Sequence, residues 1–574
     1  MVWKELTEAV AGALRAAGWY TDERIARLEL AIPRDPAHND WTTNLALLLA
    51  KDLGRPPRAI AEALAAAMPL DGSPFDRVEV AGPGFLNFRY RSTFLDALPA
   101  RVVADGAAFG TSTVNAGDSV LVEYVSANPT GPLNVVSARA AAVGAALVRL
   151  FEATGRRAEG EFYVNDAGNQ VDLLGESVAA RFAEAHGLDR PFPEAGYRGE
   201  YLRDVAAGLP ADAAREALAR PDGARWFRDE ALERMLAWQR TDLGDYGAEF
   251  ARWFRESALH AAGAVADTRR ELESRGVTYV AVHPESGYER AEDAPAATGE
   301  HPATWLRTSA HGDTQDRVIV RSNGAPTYLL PDIAYHRDKR ARGWRHAVNL
   351  WGPDHHAYVK TLQAALRALG LEPDFLDVLI VQQVNLMRGG KTLDMSKRMG
   401  QFITLRELMD DVGADCAKFF FLMRSTSAHL DFDLDLAKAQ NDENPAFYVQ
   451  YAHARIASVL RYAAERGLEP AARPAAAYAA PEELALVRGL AAFPEVVRGA
   501  AAAREPHRVP TYLKETAQAF HRFYHACRVV SDDAAQSRDR LLLAEAARTV
   551  LRNGLGLLGV SAPDRMERAA EPVA

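Results

Sequence analysis

Apolar and polar positions divide the chain into three regions with different periodicities. Residues 1–105 contain two amphipathic helical patterns and a strand-like run that ends at Tyr90, which predicts a small α/β module. From residue 119 to about 390, short apolar runs alternate with helical patterns, as expected for a parallel sheet covered by helices. Beyond Thr404 almost every segment has helical periodicity, so we predict a C-terminal helical bundle.

The central region begins with one βαβ unit. Residues 121–125 are apolar enough for a buried strand, a loop rich in proline and glycine follows, and an alanine-rich helix ends near Gly155. Residues 170–273 are mostly helical and charged, which indicates an insertion. Further short strands are predicted at 161–164, 318–321, 347–351 and 378–384.

Composition limits the class of protein. The 574 residues are enough for roughly three or four domains, and 48% hydrophobic with 25% charged residues is typical of a globular protein. Two cysteines, Cys416 and Cys527, are too few for a disulfide framework and fit a reducing compartment. Without a signal-peptide pattern or a bilayer-spanning run, we expect a cytoplasmic protein with no membrane partner. The net charge of −10 does not by itself indicate nucleic-acid binding.

Residues 126–144 carry the first candidate site, because they lead from the first strand of the βαβ unit into its helix. A helix N-terminus presents free N–H groups and partial positive charge, which suits a phosphate. Asn134 and Ser137 could add an amide and a hydroxyl donor there, whereas Val136 has a β-branched side chain. The alternative is a packing helix behind a turn, with no ligand.

The second candidate site is the glycine-flanked segment 389–400, which follows an apolar run and precedes a predicted helix at Leu405. Lys397 and Arg398 could stabilise negative charge that develops on a phosphate ligand, with Ser396 and backbone N–H groups beside them. The alternative is a solvated loop without a ligand.

Taken in order, these motifs resemble class I aminoacyl-tRNA synthetases, and specifically the arginyl enzymes, over essentially the whole chain. Residues 161–170 and 351–358 are similar to further segments of that family. Its first loop carries a His-x-Gly-His motif, and the positions that match the two histidines and the glycine are here Asn134, Ser137 and Val136. The second motif resembles the family's Lys-Met-Ser-Lys sequence, with an aspartate in place of the first lysine.

The resemblance implies an α/β Rossmann-type class I catalytic domain with an N-terminal α/β tRNA-binding module and a C-terminal α-helical anticodon-binding bundle. The implied substrates and partners are arginine, ATP with Mg²⁺, and tRNA(Arg), and we expect a monomer. The implied limits are 1–105 for the module that contacts the tRNA D-loop, 115–400 for the catalytic domain with a helical insertion at about 170–300, 401–435 for a stem-contact region, and 436–574 for the anticodon-binding domain.

The resemblance also implies roles for individual residues. Those implied to act in catalysis are Lys397, Ser396 and Arg398. Those implied to bind ATP are Asn134, Ser137, Val136, Met395, His355 and His356. Those implied to bind arginine, whose guanidinium suits a carboxylate, are Glu123, Asn128, Tyr328 and Asp332. Those implied to contact tRNA, as an exposed aromatic ring beside an amide, are Phe85 and Asn87.

Simpler interpretations stay open for several of these residues. Asp332 could only complement a helix dipole in the first turn of a helix opened by a proline, and Tyr328 could be a core residue. Phe85 could belong to a buried strand. The His355–His356 pair could bind a metal, but no cysteine or carboxylate cluster accompanies it at ligand spacing, so no metal site is predicted.

The altered first motif leaves three functions open. The first is an active arginine–tRNA ligase, slowed because each lost donor to a developing anion typically costs ~10²–10³ in rate. The second is an adenylation-deficient paralogue that binds tRNA or arginine in regulation or specialised biosynthesis. The third is a nucleotidyl-transfer enzyme that acts on an arginine-like small molecule without RNA. The retained arginine-pocket residues and the segment 396–398 favour the first function.

Overall fold

The structure is a computed structural model that describes residues 2–33, 40–282, 302–393 and 403–567. The chain divides into two compact units. One consists of residues 1–114 and 440–574, and the other of residues 115–439. Both ends of the chain therefore contribute to the same unit, and the central segment forms a unit of its own.

The amino-terminal part of the first unit is a three-stranded antiparallel sheet with helices. Its strands, in the order β1-β3-β2, are β1 (Trp41–Thr43), β2 (Phe75–Ala81) and β3 (Phe85–Tyr90). Its helices are α1 (Val2–Ala16), α2 (Asp22–Ile25), α3 (Leu45–Leu53), α4 (Pro57–Ala66) and α5 (Ser92–Asp105). Aromatic residues hold the sheet together, and the rings of Phe75 and Tyr90 stack with centroids 4.9 Å apart.

The second unit is built on a parallel five-stranded sheet. Its strands, in the order β11-β10-β4-β5-β6, are β4 (Ser119–Glu123), β5 (Arg157–Val164), β6 (Arg252–Arg255), β10 (His346–Trp351) and β11 (Leu376–Ile380). The central strand β4 is buried at every residue, which explains why residues 120–122 are all apolar. The carboxyl ends of these strands meet at one edge, where folds of this type place their ligands.

Helices and two smaller sheets complete the second unit. The helices are α6 (Val135–Ala153), α7 (Asn169–Ala185), α8 (Tyr201–Ala207), α9 (Ala211–Ala219), α10 (Gly223–Asp245), α11 (Glu256–Ala261), α12 (Ala264–Ser274), α13 (Leu329–Ala341), α14 (Tyr358–Ala368), α15 (Leu405–Val412), α16 (Ala414–Leu422) and α17 (Leu434–Lys438). The smaller sheets contain β7 (Thr278–Ala281), β8 (Ala303–Leu306) and β9 (Arg317–Val320), and β12 (Val384–Arg388), β13 (Lys391–Thr392) and β14 (Leu430–Asp433). Helix α6 lies very close to the ring of Tyr124, because a Cβ at Gly144 would be 2.2 Å from a ring carbon.

The carboxy-terminal part of the first unit is the predicted helical bundle. Its helices are α18 (Pro445–Ala464), α19 (Pro481–Ala491), α20 (Phe493–Ala503), α21 (Arg508–Ala526) and α22 (Ala534–Leu557). The start of α18 follows from its sequence: Pro445 occupies the first turn, and Asn444 Oδ1 accepts hydrogen bonds from the N–H groups of Ala446 (3.0 Å) and Phe447 (3.2 Å).

Three elements differ from the sequence prediction. The apolar run 378–384 is not one strand, because β11 ends at Ile380 and β12 belongs to a different sheet. The stretch predicted as a helical insertion contains β6, which forms the edge of the parallel sheet. Helix α13 begins at Leu329, two residues before the proline expected to open it. Periodicity cannot separate two short strands in one apolar run, nor reveal a four-residue strand with charged ends.

Candidate active site

The chain turns sharply where it leaves β4. Val125 and Ser126 have φ values of 67° and 39°, in the left-handed region that residues other than glycine rarely adopt. Such backbone costs on the order of 1–3 kcal/mol per residue and persists only where surrounding contacts fix it. The Ser126 hydroxyl donates to Glu123 Oε1 (3.3 Å) and accepts a hydrogen bond from the N–H of Tyr163 (3.1 Å). The turn therefore directs the following loop along the carboxyl edge of the sheet.

Helices of the insertion hold that loop. The hydroxyl of Tyr201 in α8 donates to the carbonyl oxygen of Thr130 (2.6 Å). Gln239 in α10 donates through Nε2 to the carbonyl oxygen of Gly131 (2.9 Å). The insertion therefore fixes the backbone of the loop that leads into α6.

Asn134 is the N-cap of α6. Its Oδ1 accepts a hydrogen bond from the N–H of Ser137 (3.1 Å), and the Ser137 hydroxyl lies 3.4 Å from the same oxygen. Because the cap uses the amide oxygen, Nδ2 is the group that Asn134 could offer to a ligand. Val136 is partly buried in the first turn. The helix therefore begins at the carboxyl edge of the sheet, as a phosphate site requires.

The chain that follows the second motif returns to the start of α6. The N–H of Leu405 donates to the carbonyl oxygen of Leu133 (2.8 Å), and Thr404 forms an antiparallel β-bridge with Asn134. Thr404 and Glu407 form a capping box that begins α15. The candidate residues of the second motif that lie outside the described residues are Met395, Ser396, Lys397 and Arg398.

Arg139 ties α6 to the sheet that contains β12 and β14. Its side chain is fully buried, and its guanidinium donates to the carbonyl oxygens of Gln382 (2.8 Å), Ser425 (2.8 Å) and Ala428 (3.0 Å). Burial lowers the pKa of Arg139 to about 10. Gln382 precedes β12 and Ala428 precedes β14. The Arg139 side chain therefore connects α6 to the segments that lead into both strands.

Asp332 lies in the first turn of α13 beside Tyr358. The Tyr358 hydroxyl donates to Asp332 Oδ2 (2.7 Å). Burial raises the pKa of Asp332 to about 7, and the negative charges of Glu123 and Glu256 add to that rise while the Tyr358 hydrogen bond opposes it. A carboxyl group with a pKa of about 7 is only partly ionised at neutral pH. A bound cation such as a guanidinium would stabilise its ionised form.

Glu256 is an acidic residue near Asp332 that the sequence analysis missed. It opens α11 directly after β6, and its side chain is 19% exposed. Burial raises the pKa of Glu256, and its charge contributes to the raised pKa of Asp332. The sequence signal for Glu256 is its position as an acidic residue directly after a strand. The strand β6 was not predicted, because the surrounding stretch has a helical and charged pattern, and the position of Glu256 was therefore missed.

Glu123, the last residue of β4, has partners inside the protein. The buried Lys339 donates through Nζ to Glu123 Oε2 (2.6 Å) and to Asn349 Oδ1 (3.0 Å). Since the Ser126 hydroxyl contacts Oε1, both carboxylate oxygens of Glu123 already accept a hydrogen bond. Asp332 differs, because the side chain that donates a hydrogen bond to it is the neutral phenol of Tyr358.

Comparison with known proteins shows which family has this arrangement. Residues 4–90 match the arginyl tRNA synthetase N terminal domain, and residues 449–566 match the DALR anticodon binding domain. An arginine–tRNA ligase of Moorella thermoacetica is 43% identical over 98% of this chain and 98% of its own length. This chain belongs to the arginyl-tRNA synthetase family.

Solved structures agree on the fold of this arginyl-tRNA synthetase family member. The arginyl-tRNA synthetase of Thermus thermophilus superposes with a TM-score of 0.78 at 24% identity, over 99% of this chain and all of the other. A Mycobacterium tuberculosis methionyl-tRNA synthetase in complex with methionyl-adenylate gives a TM-score of 0.54 at 15% identity, over 78% of this chain and 92% of the other. The predicted Rossmann-type catalytic domain with its two flanking modules is thereby confirmed.

Several residues that the arginyl-tRNA synthetase resemblance assigned to substrates lie on the surface. Tyr328 is 86% exposed, so the alternative of a core residue is wrong. Asn128 is also exposed, and its Nδ2 donates to Gln170 Oε1 (2.8 Å). His355 and His356 are exposed after β10, with the His355 ring centroid 5.9 Å from that of Trp351. Their roles in binding arginine and ATP stay predictions.

The two residues expected to face tRNA differ in exposure. Asn87 is only 4% exposed, and its Oδ1 accepts a hydrogen bond from the hydroxyl of Thr42 (2.7 Å). This burial arises because β1 pairs with β3 and places Thr42 opposite Asn87. Phe85 is partly buried, and the roles of Phe85 and Asn87 in contacting tRNA stay predictions.

The part of the chain that the structure describes bears on metal and membrane binding. Within residues 2–33, 40–282, 302–393 and 403–567, no group of three or more His, Cys, Asp or Glu side chains is placed to hold a metal ion. Among the helices that can be described, none has the length and apolar character needed to cross a bilayer.

Proposed function

We propose that this protein activates arginine with ATP and transfers the arginyl group to the 3′-terminal ribose of tRNA(Arg). The observation that carries the proposal is the buried Asp332 carboxyl group, whose pKa is raised by burial and by the nearby charges of Glu123 and Glu256, in the same unit as the start of α6. A site for a cationic amino acid and a site for an anionic nucleotide then belong to one unit.

The arginine guanidinium would be held by carboxylates. Asp332 can accept two parallel hydrogen bonds in the planar geometry that a guanidinium offers, and Glu256 adds a second negative charge nearby. Tyr358 fixes one oxygen of Asp332 by its 2.7 Å hydrogen bond. The exposed Tyr328 and Asn128 are candidates for contacts with the rest of the amino acid.

The first step would be attack of the arginine carboxylate on the α-phosphate of ATP, which releases pyrophosphate and forms arginyl-adenylate. The N–H groups that begin α6, with Asn134 Nδ2 and the Ser137 hydroxyl, would contact phosphate oxygens. Lys397 and Arg398, with Ser396, would stabilise the pyrophosphate, and Met395, His355 and His356 would contribute to nucleotide binding. ATP is expected to bring Mg²⁺ on its own phosphates.

The second step would be attack of a ribose hydroxyl of tRNA on the adenylate carbonyl, with AMP as the leaving group. The N-terminal module, through Phe85, and the helical bundle α18–α22 would bind tRNA(Arg). We expect the protein to act as a monomer in the cytoplasm.

Aminoacylation is the direct test. Radiolabelled arginine, ATP and a tRNA(Arg) transcript should give acid-precipitable arginyl-tRNA, whereas a lysine tRNA transcript should not. Citrulline, the neutral isostere of arginine, should not compete, because the acidic pocket recognises charge. Absence of arginyl-tRNA in the presence of a correctly folded transcript would overturn the proposal.

A further inference from the structure

One buried face of α13 carries three polar residues, and the proposed function uses only Asp332 among them. Asp332, His336 and Lys339 are spaced at i, i+4 and i+7, so they lie on the same side of the helix. Lys339 is fully buried and His336 is 2% exposed. Across from them lie Glu123 on β4 and Asn349 on β10, which are register partners in the parallel sheet.

The ammonium group of Lys339 makes two hydrogen bonds and one contact with an aromatic ring. Nζ donates to Glu123 Oε2 (2.6 Å) and to Asn349 Oδ1 (3.0 Å), and it lies 4.2 Å from the centroid of the Tyr335 ring. An ammonium group has three donors and no acceptor. It therefore fixes the orientation of the Asn349 amide, with the oxygen facing Lys339.

The hydrogen bonds continue from Asn349 in one direction. Its Nδ2 donates to His336 Nε2 (3.0 Å). Burial, assisted by the charge of Lys339, lowers the pKa of His336 well below its usual value, so the ring is neutral. Because Nε2 accepts, the proton is on Nδ1, which donates to the carbonyl oxygen of Asp332 (2.8 Å). Lys339 thus determines the tautomer of His336 as well.

We propose that Lys339 is a positioning residue for arginine, an inference that rests on the proposed function. The Lys339 ammonium group donates a hydrogen bond directly to the Glu123 carboxylate. Through Asn349 and His336 it is also connected by hydrogen bonds to the backbone carbonyl of Asp332. It fixes two candidate arginine-binding residues on two different elements, without contact to the substrate.

Lys339 also affects the charge of the pocket. The groups that face Asp332 from its neighbours are Tyr358 of α14, Glu123 of β4, Glu256 of α11, Tyr163 of β5 and Lys339 of its own helix. The charge of Lys339 lowers the pKa of Asp332, and the charges of Glu123 and Glu256 raise it. Removal of the ammonium group would therefore keep Asp332 protonated up to a higher pH.

Calorimetric titration of arginine, and separately of ATP, into the full chain tests this role. Lys339→Met should raise the arginine Kd roughly tenfold or more, leave the ATP Kd within about twofold, and move the midpoint of the pH dependence of arginine binding upward. A merely structural role would reduce the fraction of competent protein without moving that midpoint. Lys51→Met, which removes an exposed lysine from α3, is the control and should bind arginine as the unaltered protein does.

Asn349→Ala provides a second test of the inference if the Lys339→Met variant does not fold. It interrupts the connection between Lys339 and His336 while the ion pair with Glu123 remains, and it should raise the arginine Kd roughly three- to tenfold. A folded Lys339→Met protein with unchanged arginine Kd and pH midpoint would overturn the inference. So would an unchanged Kd for Asn349→Ala when Lys339→Met is unfolded. If the unaltered protein does not bind arginine, the proposed function fails instead.

Discussion

The arginine side and the nucleotide side of the candidate site differ in how they would hold a charged ligand. On the arginine side, Asp332, Glu256 and Glu123 come from three elements, and a buried hydrogen-bond network fixes two of them. On the nucleotide side, the start of α6 offers backbone N–H groups and the neutral side chains of Asn134 and Ser137. The family motif has two histidines at those positions.

The difference shows which part of such a site tolerates substitution. Backbone carbonyl oxygens can accept hydrogen bonds from a guanidinium, as around Arg139, but only side-chain carboxylates add the negative charge that neutralises a cationic ligand. A phosphate can be bound by the N–H groups of a helix N-terminus, which are present whatever the side chains are. We therefore expect arginine binding to depend strongly on single side chains, and nucleotide binding to persist with slower chemistry.

The largest expected effect is on the arginine side. Asp332→Asn should weaken arginine binding roughly 10²–10⁴-fold, because loss of one partner of a buried charge pair typically costs ~3–5 kcal/mol. Calorimetry with arginine measures the effect. Asp374→Asn, which removes an exposed carboxylate after α14, is the matched control. Equal arginine affinity for the two variants would remove Asp332 from the binding site.

The second largest effect should come from the second motif. Lys397→Ala should lower arginine-dependent ATP–pyrophosphate exchange by ~10²–10³-fold, as for loss of one donor to a developing anion. Arginine binding by calorimetry should stay the same. Unchanged exchange would exclude Lys397 from the mechanism.

Restoring the family motif tests whether the altered loop on the nucleotide side limits the rate of adenylation. Asn134→His combined with Val136→Gly and Ser137→His should raise the exchange rate at least about tenfold, because two imidazole donors return to the phosphate site. The loss of the Asn134 cap should cost ~1 kcal/mol of unfolding free energy, so a thermal melt must show that the variant is folded. A folded variant with no increase would mean that this loop does not limit the rate.

The smallest effect is the pH dependence of arginine binding. With the pKa of Asp332 raised to about 7, its carboxyl is protonated below that pH and ionised above it. The guanidinium stays charged throughout, so arginine affinity should fall about tenfold from pH 8 to pH 6. Titrations in matched buffers measure this change. A flat affinity over the range would show that Asp332 is already ionised in the empty site.

Local signals allowed much of this fold to be predicted. The strand, loop and helix around residues 121–155 are contiguous, and helix starts such as Asn444–Pro445 depend on neighbours in sequence. The partner of Glu123 could not be predicted in this way, since Lys339 is 216 residues distant in the chain. The burial of Asn87 follows from pairing with Thr42, a tertiary contact that strand propensity does not specify.

Arginine-dependent ATP–pyrophosphate exchange by the unaltered protein, measured with and without tRNA(Arg), tests the central claim most directly. We expect exchange that requires arginine, is greatest with tRNA(Arg) present, and rises when the histidines are restored at positions 134 and 137. No arginine-dependent exchange under either condition, from protein that still binds arginine and tRNA, would contradict it and leave a binding protein without adenylation.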